Sequence, residues 1–512
     1  MPDVRNLFDH KDHGDAYCIL SEQTASDLGM DDLFAFLDHT SSKVGQQYLY
    51  DRIRTIPGPS RGIRTHEPLI RELSEQEPLR VRLAKLLAPL DQYEGYSIVS
   101  LLYREPPAIS SLRKYLFQLL SLLPTLTLGL FLVGKSGIFL FLLLASFLVN
   151  LVIHYRSKHY GIEYLASVPQ LVKLMGIASK IQKIPLFTKL GQAVPGALDG
   201  LKQLKRSSLF IRIENKLDSD LAVFVWALLE FQHIFFLTEP RAFVKFSGQL
   251  KNKKKEIGIL YNFVGLADCL LSVARLRNTL PFYCIPEAAG PSCKLEAVDL
   301  YHPLIDDCIS NTFRSGERSF LLTGSNMSGK TTFIRTVGVN VLVAQTLNTA
   351  FARDFHLDTP MAVHSALMLA DNLNEGKSLY LKEVDTLREM LVESREGTRN
   401  LFLLDEIFKG TNTTERIAAA KAVLSYLDTP DNLIFVSTHD TELASLLAGA
   451  YDLYHFCETV REDALTFDYK LKKGKLLHRN AVRILELKNY PVPVIRDAYQ
   501  TIRTLENRPV SG

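Results

Sequence analysis

Eight consecutive residues, Gly324-Ser325-Asn326-Met327-Ser328-Gly329-Lys330-Thr331, fit the pattern GxxxxGK[ST]. The chemistry follows from the residue types. Glycines let the backbone curl until successive N–H groups point at phosphate oxygens. Lys330 adds a positive charge for the β- and γ-phosphates, and the Thr331 hydroxyl suits Mg²⁺. Thr332 completes the nucleotide-binding set. An apolar run, SFLLTG (319–324), precedes the loop, and an apolar helical pattern from Phe333 to Leu347 follows it. The helix N-terminus therefore faces the same anion.

Further along the chain, Leu401-Phe402-Leu403-Leu404 ends in Asp405-Glu406. Such a run reads as a buried strand delivering carboxylates to its C-terminal tip, where open α/β sheets bind ligands. Asp405 is placed to hold Mg²⁺, and Glu406 to orient or deprotonate an attacking water. A bare strand running into a loop has the same pattern; the preceding phosphate loop favours the catalytic reading. A third run, Leu433 to Thr438, ends at His439-Asp440. A lone histidine is commonly structural, but at the tip of a third strand His439 can sense a γ-phosphate by hydrogen bonding.

Short apolar runs bounded by turn residues, at 319–324, 400–406 and 432–440, predict buried strands of an α/β sheet from about residue 295 onward. Upstream the pattern is helical. One helix is predicted over Leu33 to Ile53, with a possible capping break at Thr40 and Ser41, ended by Pro57 and Pro59. Amphipathic helices are predicted over Leu217 to Phe236 and Ile257 to Leu276. Between them, Lys251, Lys253, Lys254 and Lys255 read as a solvated turn, or alternatively as a contact to phosphate or anionic head groups.

Residues 115–153 differ from everything around them. Tyr115 to Val133 carries no charge over 19 residues, and Gly137 to Ile153 none over 17. A bilayer core of about 30 Å needs roughly 17–25 apolar helical residues. Arg104, Arg113 and Lys114 precede the pair, and Arg156 and Lys158 follow it, so both long flanks are expected in the cytoplasm. A buried helical hairpin in a soluble core is the alternative, although such helices usually carry a polar stripe.

Bulk composition adds limits. With 59 basic and 56 acidic residues the net charge is +3, which gives no global case for nucleic-acid binding. A hydrophobic share of 47% and a charged share of 22% argue for a packed chain rather than a disordered one. Cys18, Cys269, Cys284, Cys293, Cys308 and Cys457 form no CxxC pair, so reduced thiols in a cytoplasmic setting are expected. The polar N-terminus predicts no cleavable signal peptide.

Taken together, these motifs resemble the MutS family. TGSNMSGKTTFIRTVG resembles the MutS phosphate loop down to Asn326-Met327. LFLLDEIFKGTNTTER resembles the MutS stretch DEIGRGTST, and STHD its switch-histidine segment. GKSLYLKEVDTLREML (376–391) resembles the segment that reaches the neighbouring subunit's nucleotide, which implies that Ser378 contacts the γ-phosphate in trans. YHPLI (301–305) resembles the start of the ATPase domain, and AVRILELKNYPVPVIRDAYQTI (481–502) the helical dimerisation element. LDHTSSKVGQQYLYDRIRTIP (37–57) and GLADCLLSVARLRNTLPFYCIPE (265–287) resemble the core or lever region. Three things depart from the family: Lys409, Asn412 and Glu415 differ from its usual run, no mismatch-reading domain or Phe-x-Glu wedge precedes residue 31, and no adenine-stacking aromatic stands before the loop, where Asp307-Cys308-Ile309 lies.

The expectation is a multidomain chain: an all-α core/lever region with a transmembrane helical hairpin, then an α/β P-loop ATPase domain. Its boundaries are 1–114 for the first part of the core, 115–153 for the hairpin, 154–290 for the rest of the core, and 291–512 for the ATPase domain. The resemblance implies ATP and Mg²⁺ as cofactors, a homodimer formed through the ATPase domain, and DNA as partner in mismatch repair. The hairpin implies a cytoplasmic membrane. A tethered ATP switch acting on branched DNA or a protein partner is the alternative. An ABC-type transporter fits less well, since two spans make no pathway and no LSGGQ motif occurs; a soluble structural protein would leave the Lys330, Thr331, Asp405, Glu406 and His439 set without use.

Overall fold

The computed structural model describes residues 2–58, 63–104, 111–204, 230–238, 240–241, 244, 248, 250, 252–290, 293–325, 327–358, 360–367, 379–394, 397–461, 464–475 and 481–506. They fall into two compact units. One holds 1–12, 37–51 and 68–278; the other holds 13–36, 52–67 and 279–512. The fold is helical with mixed sheets.

The regular elements among the described residues of the first unit are helices. The predicted break at Thr40 and Ser41 is present: helix Met30–Leu37, nearly all in the second unit, ends before it, and helix Lys43–Arg54 starts after it. Asp268, fully buried, closes the start of the second helix. It accepts from the Ser41 N–H at 2.9 Å and the Ser42 hydroxyl at 2.6 Å. Only glycine fits next in line: a Cβ on Gly45 would stand 2.1 Å from Asp268 Oδ2. Asp268 belongs to the Lys254–Thr279 helix, which the sequence pattern had as amphipathic. Its buried residues instead cover every side and include Asp268, Ser272 and Arg277, because partners within the fold satisfy its polar groups. From the lysine run, Lys253 pairs with Glu256 at 2.9 Å.

The 115–153 region forms two helices, Ser111–Gly134 and Gly137–Gln182. The second runs for 46 residues, about 69 Å at 1.5 Å per residue, well past the end of the apolar stretch. Among the described residues, three helices are long and apolar enough to cross a membrane, and burial separates them. Within the fold, 17% of the most apolar window is buried for Lys114–Gly134 and 17% for Gly137–Arg156, against 78% for Lys254–Thr279. Pro124 interrupts the first hairpin helix and cannot donate to the Leu120 carbonyl. Asn150, fully buried on the second helix, donates to that carbonyl at 3.2 Å and to the Phe235 carbonyl at 3.1 Å. A cross-helix amide thus replaces the missing backbone bond. Of the predicted 217–236 helix, only its end from Glu230 is within the described residues, and it is helical there.

The second unit is built on a six-stranded sheet. Across it lie Lys472–Lys473, Tyr451–His455, Ser319–Thr323, Asn432–Ser437, Asn400–Asp405 and Ala362–Ala366. All neighbours pair parallel except the short first strand. Ser319–Thr323 and Asn432–Ser437 are buried at every position, as central parallel strands covered on both faces must be. Leu321, Phe402, Leu404, Ile434 and Val436 form one core with Leu387, Met390, Ala420 and Leu424 of the helices. A smaller mixed sheet of four strands joins Glu287–Ala288, Asp354–Leu357, Leu295–Leu300 and Asn311–Ser315.

Residues 13–36 and 52–67 complete this unit. Strands Ala16–Ile19 and Thr55–Pro57 pair antiparallel. Helix Glu22–Asp27 lies along the edge strand Ala362–Ala366. Asp27, fully buried, accepts at Oδ2 from the Ser365 hydroxyl at 2.7 Å and the Leu367 N–H at 2.8 Å. The Thr24 hydroxyl accepts from the Ser365 N–H at 3.1 Å. Side chains here do what a seventh strand would do for an open edge.

Candidate nucleotide site

The loop between Ser319–Thr323 and helix Lys330–Leu347 is shaped by two glycines in the positive-φ region, Gly324 at +149° and Gly329 at +100°. A Cβ on Gly324 would stand 2.6 Å from the Phe456 carbonyl oxygen and 2.8 Å from Ser328 Oγ, so no larger residue fits. The Ser328 hydroxyl donates to the Ser325 carbonyl at 2.7 Å. Lys330, 3% exposed, donates to the Gly324 and Ser325 carbonyls, both at 2.8 Å. Burial pushes its ammonium below the usual lysine range, and Asp405 and Glu406 draw it back up. Met327 is exposed, and the Thr332 carbonyl accepts from the Thr336 hydroxyl at 2.7 Å in the first turn of the helix.

The parallel order brings three strand ends beside this loop. Thr331 Oγ1 donates to Asp405 Oδ2 at 2.7 Å. Ser437 hydrogen-bonds Asp405 Oδ1 from the neighbouring strand. The Glu406 N–H donates to the Ser437 carbonyl at 3.0 Å, which turns the chain to φ +51° and swings the Glu406 side chain clear of the strand. Glu406 Oε1 pairs with His439 Nε2, and Oε2 lies 3.3 Å from Lys409 Nζ. The His439 hydrogen bond, aided by Lys409 against burial, holds the Glu406 carboxyl down at about 2. His439 is followed by Asp440, which Arg416 grips through two hydrogen bonds of 2.9 and 2.7 Å.

Gly324, Ser325, Ser328, Gly329, Lys330, Thr331, Asp405, Glu406 and His439 therefore converge on one side of the sheet. Asn326 and Ser378 lie outside the described residues. A threonine hydroxyl beside a carboxylate is a hard oxygen donor set, which fits Mg²⁺.

Three neighbours were not singled out as site residues from the sequence. Lys409 was visible only as a departure from a pattern. Glu458, 8% exposed, accepts from the Ser325 hydroxyl at 3.0 Å, and nothing in its local sequence marks it. Tyr469 lies 3.1 Å from where a Gly329 Cβ would be and stacks on Phe467 at 5.8 Å. It comes after the loop in sequence, whereas the family's adenine-stacking aromatic is expected before it.

The family model for MutS domain V matches residues 320–506, the stretch that carries this geometry. Residues 320–506 are a MutS domain V. Relatives agree with that reading. DNA mismatch repair protein msh3 of Aspergillus oryzae is 27% identical over 259 residues, covering 47% of this chain and 23% of that protein. DNA mismatch repair protein MutS of Roseiflexus castenholzii is 28% identical over 274 residues, 49% of this chain and 25% of its own length. The MutS protein of Chlamydia pneumoniae is 30% identical over 197 residues, 38% and 24% respectively. The chain thus spans about a quarter of the length of those curated relatives.

Proposed function

We propose that this MutS-family chain is a membrane-anchored, Mg²⁺-dependent ATPase whose nucleotide state switches its helical unit, with DNA as target. The observation that carries the ATPase reading is the 2.7 Å contact between Thr331 Oγ1 and Asp405 Oδ2, with Glu406 next on the same strand end. Thr331 and Asp405 would hold Mg²⁺, which when bound neutralises charge on the β- and γ-phosphates. Backbone N–H groups of 324–331 and the Lys330 ammonium bind the phosphates, and the N-terminus of helix Lys330–Leu347 adds its dipole. Glu406 orients or deprotonates the attacking water. His439, paired with Glu406, is in reach of a γ-phosphate and reports its presence. Tyr469 offers a ring face to the base. Ser378 acts in trans on the nucleotide of a second copy, making the working unit a homodimer through this domain.

The membrane reading rests on the two hairpin helices, which leave most of their apolar surface uncovered by the fold. Basic residues at both long flanks put those flanks in the cytoplasm, where ATP is. DNA as target, and mismatch repair as pathway, rest on what the relatives' names state of those relatives. A second reading keeps the ATPase and the anchor but gives the switch branched DNA or a protein partner. It draws support from the match, which centres on the nucleotide domain.

The test uses detergent-solubilised full chain. ATP turnover should require Mg²⁺ and be lost in Lys330→Ala together with nucleotide binding. Binding to mismatched, perfect and branched duplexes across a salt series separates the targets, since phosphate contacts weaken steeply with salt. Mg²⁺-independent turnover, or wild-type turnover in Lys330→Ala, would overturn the ATPase assignment.

A further inference from the structure

A buried carboxylate stands behind the turn that carries Glu406. Glu383, in helix Leu379–Glu393, is 4% exposed. Its Oε1 accepts from the Phe408 N–H at 2.5 Å and from the Lys409 N–H at 3.4 Å. Its Oε2 has no hydrogen-bond partner among the described residues.

The turn itself is strained. Glu406 has φ +51° and Phe408 φ +63°. A bulky side chain in the left-handed region persists only when surrounding contacts over-determine it. Three contacts do so here, and all come from one helix or its core. Glu383 holds the Phe408 N–H. The Phe408 ring is 6% exposed within the sheet core, 6.3 Å from the Tyr380 ring. Tyr380 also presses on Gly410, where a Cβ would stand 2.9 Å from Tyr380 Cβ.

We infer that Glu383 is a positioning residue for Glu406: through the N–H groups of Phe408 and Lys409 it fixes the turn that aims the water-orienting carboxylate, and ties that aim to helix Leu379–Glu393. This rests on the ATPase reading given above. Glu383 touches neither nucleotide nor reacting water.

The test compares full-length wild type with Glu383→Ala, Glu383→Gln and Glu383→Asp. The alanine removes the acceptor, the glutamine keeps one at the same reach, and the aspartate keeps the charge but shortens the reach. The readouts are equilibrium ATP binding, kcat, KM and thermal unfolding. A positioning role predicts that alanine and aspartate lower kcat at least about tenfold with ATP binding and KM within about threefold, and that glutamine returns kcat to within about threefold of wild type. Wild-type kcat in the alanine variant overturns the inference. So does a loss of ATP binding that tracks the loss of kcat, or a glutamine variant as impaired as alanine. Should the alanine variant not fold, the glutamine and aspartate pair decides by the same criteria. No turnover in the wild type overturns the ATPase reading, and this inference with it; turnover in wild type with unaffected variants overturns this inference alone.

Discussion

Asp27 is the side chain through which the N-terminal residues hold the edge of the nucleotide sheet. Substituting alanine leaves the buried Leu367 N–H and the Ser365 hydroxyl without their common acceptor, at 2.8 and 2.7 Å in the native fold. It also removes the acceptor of the Gln23 amide, which donates to Oδ1 at 2.9 Å. A buried N–H left unpaired costs about 1–3 kcal/mol, and a hydrogen bond to a charged group contributes about 1.5–3 kcal/mol. Gln23 is part-exposed and its amide finds water, so its loss adds little. The sum is about 2.5–6 kcal/mol. For a unit of this size each kcal/mol moves the midpoint by roughly 2 °C, so Asp27→Ala should lower its thermal transition by about 5–12 °C. Asp27→Asn, which keeps one acceptor, should fall between. The assay is thermal unfolding of the full chain, with bound nucleotide analogue as a second probe of this unit. Strand Ala362–Ala366 pairs directly with the strand of Asp405, so loss of analogue binding should coincide with the early transition. A midpoint within 1 °C of wild type for Asp27→Ala would refute the reasoning, as would early unfolding with analogue binding unchanged.

Further predictions concern the helical unit, the hairpin and the composite site. Burial pushes the Asp268 carboxyl up to about 7, against the hydrogen bonds from Ser42 and Ser41 and the charge of Arg275. A raised folded-state value means the stability is fully present below the unfolded range near 4 and is lost as pH rises through about 7. Unfolding measured at pH 5.5 and 8 should show wild type losing roughly 2 kcal/mol between them, and Asp268→Asn losing less; equal losses would contradict the assignment. Alkaline carbonate washing should leave the full chain in the membrane pellet and release a variant lacking 115–153; release of both would favour a hairpin buried in a soluble core. Leu142→Asp, which puts a charge inside the second span at a cost of about 2.5–3.5 kcal/mol, should weaken insertion, whereas a wild-type pellet fraction would count against that span. Mixing Ser378→Ala with Lys330→Ala subunits should restore one intact site per heterodimer; heterodimers as inactive as either parent would remove Ser378 from the partner's site.

The parts of the fold that were legible in the sequence are those where one physical signal dominates. Strands predicted at 319–324, 400–406 and 432–440 are found at Ser319–Thr323, Asn400–Asp405 and Asn432–Ser437, because doubly covered parallel strands are continuous apolar runs. The phosphate loop was legible because its backbone needs glycine at 324 and 329. Hydropathy alone was less discriminating. It passes Lys254–Thr279, at a mean hydropathy of 1.8, along with the hairpin helices at 2.0 and 2.4, and packing tells a helix buried in protein from one left bare. The role of residues 13–36 was illegible for a different reason. Asp27 and Thr24 act on a strand more than 330 positions away, and a single buried carboxylate leaves no periodic trace. Glu383, Lys409, Glu458 and Tyr469 belong with it: each gains its meaning from a partner brought near by the sheet order, not from its neighbours in sequence.

The central claim is that Glu406 acts on the water attacking a nucleotide held by Lys330 and Thr331. Its most direct test is single-turnover ATP cleavage by Glu406→Gln beside equilibrium ATP binding, in the solubilised full chain with Mg²⁺. ATP affinity should stay within about threefold of wild type and cleavage should slow at least about a hundredfold, because the variant loses the water-orienting carboxylate and no phosphate contact. Cleavage at the wild-type rate, or a loss of cleavage explained by a matching loss of ATP binding, would contradict it.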